Sequence, residues 1–166
     1  SEQENLDQKT VICEIIEGID YTALVRYQDW NDKTQEIIAL QTKWKGIGRA
    51  PQKSNTKIFE RFRASCDQFF TRKAEFFKEA KEGMGENLSK KISLCEQVEA
   101  LKDSTEWKAT AEKISALREE WKKIGPVAKK QSAAVWKRFN DACDAFFEKR
   151  NTTLGNQRSE ESANLK

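Results

Sequence analysis

Apolar side chains recur every three or four positions in three separate stretches of the second half of the sequence. Such spacing places them on one face of an α-helix, so each stretch predicts an amphipathic helix. The first stretch contains Leu88, Ile92, Cys95, Val98 and Leu101. The second contains Trp107, Ala111, Ile114, Leu117, Trp121 and Ile124, and the third contains Val135, Trp136, Phe139, Ala142, Cys143, Phe146 and Phe147.

Polar and helix-breaking residues separate these three stretches. The run Asp103-Ser104-Thr105-Glu106 supplies side-chain oxygens that can cap a helix, and Glu106 stands three residues after Asp103, as in a capping box. This run predicts the start of the second helix. Gly125 and Pro126 directly follow the second stretch and predict its end. A polar linker then leads to the third helix. Three amphipathic helices with short connections predict an antiparallel three-helix bundle.

The first half of the sequence repeats the second half. Fourteen of its residues recur 77 positions later, namely Trp30, Ile37, Leu40, Trp44, Lys45, Ile47, Gly48, Lys53, Arg61, Phe62, Cys66, Asp67, Phe69 and Phe70. Four residues upstream recur 82 positions later, namely Asn5, Leu6, Lys9 and Cys13. The first copy therefore has five additional residues before Trp30. Self-similarity at a fixed period is typical of repeat architectures.

The predicted fold class is all-α, with two tandem three-helix-bundle repeats. We place the first repeat at residues 1–82, with a five-residue insertion between its first and second helices, and the second repeat at residues 83–154. Apolar residues keep helical phase across the junction, which predicts a long connecting helix between the repeats. Gly83 and Gly85 predict a soft point in that helix, because glycine costs about 1 kcal/mol in a helix interior.

The sequence also predicts the structure of two further segments. The inserted segment contains the apolar residues Tyr21, Leu24, Val25 and Tyr27, which predict a short turn packed on the bundle rather than a bare loop. Residues 155–166 predict a polar tail that leads into a truncated third repeat, because the Asn-Leu pair at 87–88 recurs at 164–165.

Composition agrees with a folded helical chain. The sequence has 166 residues, with two prolines, seven glycines, five tryptophans and nine phenylalanines, so it carries enough large apolar side chains for a core. No apolar run approaches the roughly 20 residues that span a bilayer, and no signal-peptide pattern is present. We therefore expect no membrane partner. We also expect the tryptophans and phenylalanines to lie in the core.

The cysteines follow the repeat, with Cys13 matching Cys95 and Cys66 matching Cys143. No cysteine lies within four residues of another, and the chain contains no histidine. The spacings of zinc sites are therefore absent, and we predict neither a metal nor another cofactor. Buried reduced thiols that pack as small apolar groups are the expected role of these residues.

Both repeats contain the motif Trp-Lys-x-Ile-Gly, a basic linker, and Trp/Phe-x-Arg-Phe-x-x-x-Cys-Asp-x-Phe-Phe. It reads WKGIGRAPQKSNTKIFERFRASCDQFF in the first repeat and WKKIGPVAKKQSAAVWKRFNDACDAFF in the second. With the Asn-Leu opening of each repeat, this motif resembles a bacterial tandem-repeat family catalogued as a domain of unknown function, number 349 in its series. The resemblance covers nearly the whole chain. It implies helical repeats in a cytoplasmic bacterial protein, and it implies no activity.

The sequence contains no recognisable catalytic constellation. Without histidine, the usual general base and the usual activator of a nucleophile are missing. No glycine-rich phosphate loop is present. The carboxylates are expected on solvated helix faces, where they pair with lysines. We therefore predict no catalytic residues and a protein that is not an enzyme.

Charge is distributed unevenly along the chain. Residues 1–42 contain three basic and nine acidic side chains, a net charge of −6. Residues 43–63 carry a net charge of +6 and residues 120–140 a net charge of +5, although the formal charge of the whole chain is only +3. We call these two segments the first and second basic corners. Each contains the predicted turn between the second and third helices of its repeat.

The residues we select as an anion-binding site are Lys45, Arg49, Lys53, Lys57, Lys122, Lys123, Lys129 and Lys130. Such a cluster can hold a phosphate backbone or an acidic protein surface. It can equally be explained as charge that offsets the helix dipole and keeps the linker solvated, since charge runs are usually solvated faces. That explanation suits Lys45, Lys122 and Lys123 best, because they lie at the predicted end of the second helix.

The function predicted is a non-catalytic interaction or scaffold module, with an unidentified protein as its partner. Repeats of this kind present extended binding surfaces. The alternative is a nucleic-acid-associated protein that binds the phosphate backbone through the basic corners. With every aromatic residue assigned to an apolar stripe, none is expected to stack on bases, and nucleic-acid binding would have little sequence specificity.

Overall fold

The computed structural model describes residues 1–164, and these residues form only helices and turns. The elements are α1 (Glu2–Glu17), a 3-10 helix (Tyr21–Ala23), α2 (Tyr27–Gly46), α3 (Gln52–Leu101), α4 (Trp107–Lys123) and α5 (Lys129–Asn164). The predicted all-α fold class is confirmed. The chain divides into two compact units, the first being Ser1–Glu79 and the second beginning at Ala80.

A single helix, α3, contains both the third helix of the first unit and the first helix of the second. The predicted connecting helix is therefore present. Gly83 and Gly85 lie inside it, and the helix continues through both. A Cβ atom at either position would meet nothing within 4 Å, so no close packing requires glycine there.

The sequence predicts that the last residues of the chain form a polar tail leading into a third repeat. The α5 helix continues to Asn164, so residues 155–164 extend this helix. Leu165 and Lys166, on which the expectation of a third repeat partly depends, lie outside the described residues.

The core of the first unit is formed by α1, α2 and the first part of α3. Its buried residues include Ile12, Cys13, Ile16, Leu24, Trp30, Ile37, Trp44, Ile58, Phe62, Cys66 and Phe69. The second unit buries the matching positions of α3, α4 and α5, with Leu94, Cys95, Val98, Ile114, Leu117, Val127, Val135, Phe139, Ala142, Cys143 and Phe146. The two halves of the sequence therefore build two cores on the same pattern.

The inserted segment of the first unit covers one core tryptophan. The 3-10 helix places the Tyr21 ring 6.0 Å from the Trp30 ring, and the indole nitrogen of Trp30 donates a hydrogen bond to the carbonyl oxygen of Leu24 at 3.1 Å. Trp30 is buried, whereas its counterpart Trp107, which has no such segment beside it, is only partly buried. Tyr21 and Leu24 pack on the core as predicted, whereas Val25 and Tyr27 are exposed, with the Tyr27 ring 4.9 Å from that of Phe77.

The start of α4 differs from the prediction. The residue before the helix is Glu106, and its side chain makes no capping hydrogen bond. The hydroxyl of Ser104 instead accepts a hydrogen bond from the backbone N–H of Glu106 at 3.2 Å. Asp103, which the sequence pattern assigned to the cap, pairs with Lys149 at 3.4 Å. The predicted capping box is therefore wrong, because a serine hydroxyl already occupies the free backbone donor.

All four cysteines are free and buried, as predicted. Two of them make matching contacts: Cys13 Sγ lies 3.9 Å from the carbonyl oxygen of Ile58, and Cys95 Sγ lies 3.6 Å from that of Val135. Burial raises the pKa of the Cys13 thiol to about 11, and it also raises the pKa of Cys66, Cys95 and Cys143.

We expect all four thiols to react slowly with a thiol reagent in the folded protein at neutral pH. The thiolate is the reactive form, and burial disfavours it. Labelling followed by mass spectrometry should show rapid, complete modification only after denaturation. Stoichiometric labelling of the native protein within the mixing time would contradict the buried positions.

Candidate functional site

An asparagine near the start of each unit's first helix holds the basic corner in place. Asn5 Nδ2 donates a hydrogen bond to the backbone carbonyl oxygen of Arg49 at 2.9 Å. Asn87 makes the matching bond to the carbonyl oxygen of Pro126 at 2.8 Å. Each bond joins the first helix of a unit to the connection that follows the second helix of that unit, as in an antiparallel helix pair. This explains why the Asn-Leu pair recurs with the Trp-Lys-x-Ile-Gly motif.

A residue larger than glycine beside each asparagine would have to displace the asparagine side chain. A Cβ atom on Gly48 would lie 2.8 Å from Asn5 Nδ2, and one on Gly125 would lie 2.8 Å from Asn87 Nδ2. Neither glycine has a positive φ, so unusual backbone conformation is not the reason for its presence. The repeated Ile-Gly pair therefore serves the asparagine contact.

We expect Gly48→Ala and Asn5→Ala each to lower the free energy of unfolding by about 0.5–1.5 kcal/mol, the net value of one hydrogen bond. Because both changes disturb the same bond, the double variant should lose less than the sum of the two. Urea unfolding of the four proteins measures this coupling. Gly83→Ala is the control, since it adds a methyl group in open space and should stabilise the helix by up to about 1 kcal/mol. Additive losses would show that the bond is absent in solution.

Each basic corner contains a pair of stacked aromatic rings. The Trp44 ring lies 4.0 Å from the Phe62 ring with an angle of 8° between the planes, and Lys9 Nζ lies 5.0 Å from the Trp44 ring centre. In the second unit, the rings of Trp121 and Phe139 are 4.4 Å apart. Trp44 is buried, and Trp121 is partly buried. The repeated tryptophan therefore connects the end of the second helix to the third.

Several cations within the basic corners are neutralised by carboxylates. Arg61 donates two hydrogen bonds to Glu17, at 2.9 and 2.7 Å, and Arg138 does the same to Glu99, at 3.0 and 2.7 Å. These bonds hold the pKa of both carboxyl groups below the ordinary value. The stabilisation is therefore present at neutral pH and is lost as the pH falls through the lowered pKa. Both arginines serve the fold.

All eight predicted anion-binding residues have exposed side chains, namely Lys45, Arg49, Lys53, Lys57, Lys122, Lys123, Lys129 and Lys130. Among the described residues, only Lys122 of this set forms an ion pair, with Glu119 at 3.0 Å. That pair is solvent-exposed, so it holds the lysine only weakly. The structure thus leaves these charges at the surface around two short connections.

The connections are shorter than the sequence indicated. The connection between α2 and α3 consists of residues 47–51, and that between α4 and α5 consists of residues 124–128. Lys53, Lys129 and Lys130 therefore fall in the first turns of α3 and α5. Cations there face the positive end of the helix dipole, which disfavours them by a few tenths of a kcal/mol or more. The dipole explains lysines in the last turns of α2 and α4 but not these three.

Among the described residues, three tryptophan and phenylalanine side chains are exposed instead of lying in the core, namely Phe59, Phe70 and Trp136. Phe59 and Trp136 occupy the same position in the two repeats, and each is 50% exposed. The expectation that no aromatic residue is available for stacking is therefore wrong. The neighbouring positions Ile58 and Val135 are buried, and adjacent residues on a helix point about 100° apart. In both pairs the aliphatic residue faces the core, and the aromatic residue lies at the surface.

A groove of about 460 Å³ lies between the second unit's α3 and α5 and includes Glu99, Lys137, Arg138 and Asp141. Four of its charged groups form two ion pairs, since Arg138 binds Glu99 and Lys137 binds Asp141 at 2.6 Å. Lys102 also lines the groove. Within residues 1–164, no group of three or more acidic or cysteine side chains is arranged to hold a metal ion. No helix in this range is long and apolar enough to cross a membrane.

Comparison with known proteins identifies one family. The sequence matches the family described as Domain of Unknown Function (DUF349) over residues 1–53, 57–130 and 134–166, which together cover nearly all of the chain. The resemblance found in the repeated motif is confirmed. The second and third matches begin 77 residues apart, within the basic corners, so the family's unit is offset from the compact units. No protein of curated function and no solved structure matches the chain significantly.

Proposed function

This chain belongs to the family described as Domain of Unknown Function (DUF349), and we propose that it is a non-catalytic helical-repeat interaction module. Its basic corners are the proposed binding surface, and its partner carries negative charge there. The observation that carries this proposal is the recurrence of exposed cations at matching positions, Lys45 with Lys122 and Lys53 with Lys130. The proposed setting is the bacterial cytoplasm.

The fold itself gives no reason for the cations at the starts of α3 and α5. Lys53, Lys129 and Lys130 lie where the helix dipole is unfavourable to them, and they have no carboxylate partner within the described residues. By contrast, the repeated cation Lys9 lies beside the Trp44 ring, and Arg61 binds Glu17. These unpaired lysines are therefore available to bind a partner.

The first candidate partner is a protein with an acidic surface. Complementary charge would steer the encounter and set the orientation of such a partner. Two units of the same design provide two such surfaces in one chain, which suits a scaffold role. Both carboxylates of the groove between α3 and α5 are engaged in ion pairs, which leaves no free carboxylate there and supports a binding module over an enzyme.

A second candidate partner is nucleic acid, and one specific observation favours it. The half-exposed rings of Phe59 and Trp136 lie in the same helices as the unpaired lysines. Aromatic rings beside cations are the usual means by which proteins hold single strands. Phosphate contacts alone would give binding with little sequence preference.

The test is the binding of the intact chain to three labelled probes over a series of salt concentrations. The probes are heparin, a single-stranded oligonucleotide and an acidic peptide, with a neutral polysaccharide as control. We expect binding to the anionic probes that weakens as salt rises, and for a nucleic acid the logarithmic slope reports the number of phosphate contacts. Absence of binding to every anionic probe at low salt would end the proposal.

A further inference from the structure

Trp136 lies at the mouth of a groove between α4 and α5 of the second unit. The groove has a volume of about 330 Å³, and its walls include Arg118, Trp121, Lys122, Trp136, Phe139 and Asn140. Among the described residues from Ala80 onward, Trp136 is the one large apolar side chain that is exposed. A single planar ring in a polar and cationic surrounding is thus the main apolar feature of this surface.

The aromatic neighbours of Trp136 hold it in a defined position. Its ring centre lies 5.6 Å from that of Trp121 and 6.5 Å from that of Phe139, and these two rings stack on each other at 4.4 Å. Packing on one side leaves half of the Trp136 side chain open to solvent. A ring that is already ordered loses little conformational entropy when another ring stacks on it.

Polar groups around the ring suit a charged, planar ligand. Arg118 lies 5.0 Å from the Phe147 ring and contributes a cation to the groove wall. Lys122 contributes a second, held weakly by the exposed carboxylate of Glu119, which also lines the groove. Lys129 lies seven residues before Trp136 in α5, which places both on the same side of that helix. Asn140 supplies an amide that can both donate and accept hydrogen bonds.

The corresponding surface of the first unit is built differently. The positions of Ser115, Arg118, Trp136 and Asn140 are taken there by Ile38, Gln41, Phe59 and Arg63. Ile38 and Phe59 are both exposed, so that surface is more apolar, and no cation stands at the position of Arg118. The two repeats share the exposed aromatic position, but only the second combines it with a polar groove.

A partner helix is a poor fit to the groove of the second unit. An amphipathic helix docks through several apolar anchors spaced along one face. Trp136 offers a single exposed apolar contact, and cations and an amide surround it. A nucleobase, by contrast, requires one ring surface, polar groups at its edges and cations near its phosphates.

We infer that this groove binds an unpaired base of a single-stranded nucleic acid, with the base stacked on Trp136 and the adjoining phosphates beside Arg118, Lys122 and Lys129. This inference depends on the proposed function, because it identifies the anionic partner of the second basic corner as nucleic acid. It adds a base contact to the phosphate contacts. Binding should therefore distinguish strands with accessible bases from other polyanions.

The test compares the parent protein with Trp136→Ala, Trp136→Phe and Phe59→Ala in binding to labelled short single strands, both RNA and DNA. An abasic strand of the same length and an acidic peptide serve as the other probes. We expect Trp136→Ala to weaken binding to the single strands by roughly 5- to 150-fold, the loss of one stacked base. Its binding to the abasic strand should not change, and Trp136→Phe should lose less. Circular dichroism confirms unchanged helicity.

Three results would overturn the inference. Unchanged binding of the single strands by Trp136→Ala, with weakened binding by Lys129→Glu, would exclude base stacking while leaving the basic corner as a binding surface. An equal loss in Phe59→Ala would contradict the assignment to the second unit's groove. Tighter binding of the acidic peptide than of any strand, reduced by Trp136→Ala, would identify a protein as the occupant. Failure of the parent to bind any probe would instead reject the proposed function.

Discussion

Trp44→Ala should lower the free energy of unfolding of the first unit by about 3–5 kcal/mol, the cost of truncating a large buried aromatic residue. The side chain is only 8% exposed, and its ring stacks on Phe62 at 4.0 Å. Truncation would leave a cavity at the point where α2 meets α3 and would remove the contact with Lys9. The loss of packing should therefore affect the basic corner as well as the core.

The control for this prediction is Trp136→Ala, the same truncation at a half-exposed position. It should cost about 1 kcal/mol or less, because surface substitutions rarely cost more. Urea unfolding followed by circular dichroism measures both variants, and the midpoint at an unchanged slope gives the difference in stability. A loss below about 1 kcal/mol for Trp44→Ala, with native helicity, would show that Trp44 is accessible in solution and available to a partner.

Replacing Lys53, Lys57, Lys129 and Lys130 by glutamate should weaken binding to a polyanion by roughly 100-fold or more at low salt, since phosphate contacts and released counterions supply most of such affinity. The dependence of affinity on salt should also flatten, by roughly 0.7–0.9 in logarithmic slope for each phosphate contact removed. Folding should not suffer, because Lys57 is exposed and the other three positions lie in the first turns of helices, where a carboxylate is favourable. Loss of binding would therefore not reflect unfolding.

The matched control carries the same change of net charge elsewhere. Lys78, Lys81, Lys108 and Lys113 are exposed and lie outside both basic corners, so their replacement by glutamate removes equal charge. We expect this control to bind with only slightly lower affinity than the parent. Equal weakening of the two variants, measured with the same labelled strand and with heparin, would show that net charge alone matters and would reject the basic corners as the binding surface.

The repeated cations of this chain fall into two groups that the sequence does not distinguish. Lys9 and Arg61 recur as Lys91 and Arg138, and each makes a contact within its unit, the lysines with a tryptophan ring and the arginines with a glutamate. Lys53 recurs equally as Lys130, yet both side chains extend into solvent. Repetition alone therefore identifies residues that matter to each unit, and the contacts show which of them stabilise the fold.

The sequence by itself determined the helical architecture. Apolar spacing predicts the helices of each unit, because a stripe with helical period can be buried only on one face of a helix. Continuous phase across Gly83 and Gly85 predicted one connecting helix, and α3 confirms it. The repeated motif identified the family, whose matches cover the same segments. These features depend on residues close together in the chain, which is why one sequence was sufficient.

Only the tertiary structure decided which polar and aromatic groups are used internally. The pairing of Arg61 with Glu17 joins residues 44 positions apart, and that separation leaves no trace in local spacing. Phe59 and Ile58 both fit an apolar stripe, but the packing of the helices buries only Ile58. The bond between Asn5 and the carbonyl oxygen of Arg49 likewise appears only when α1 lies beside the end of α2. Exposure and pairing depend on distant neighbours, so the candidate binding surface was decided by how the helices pack.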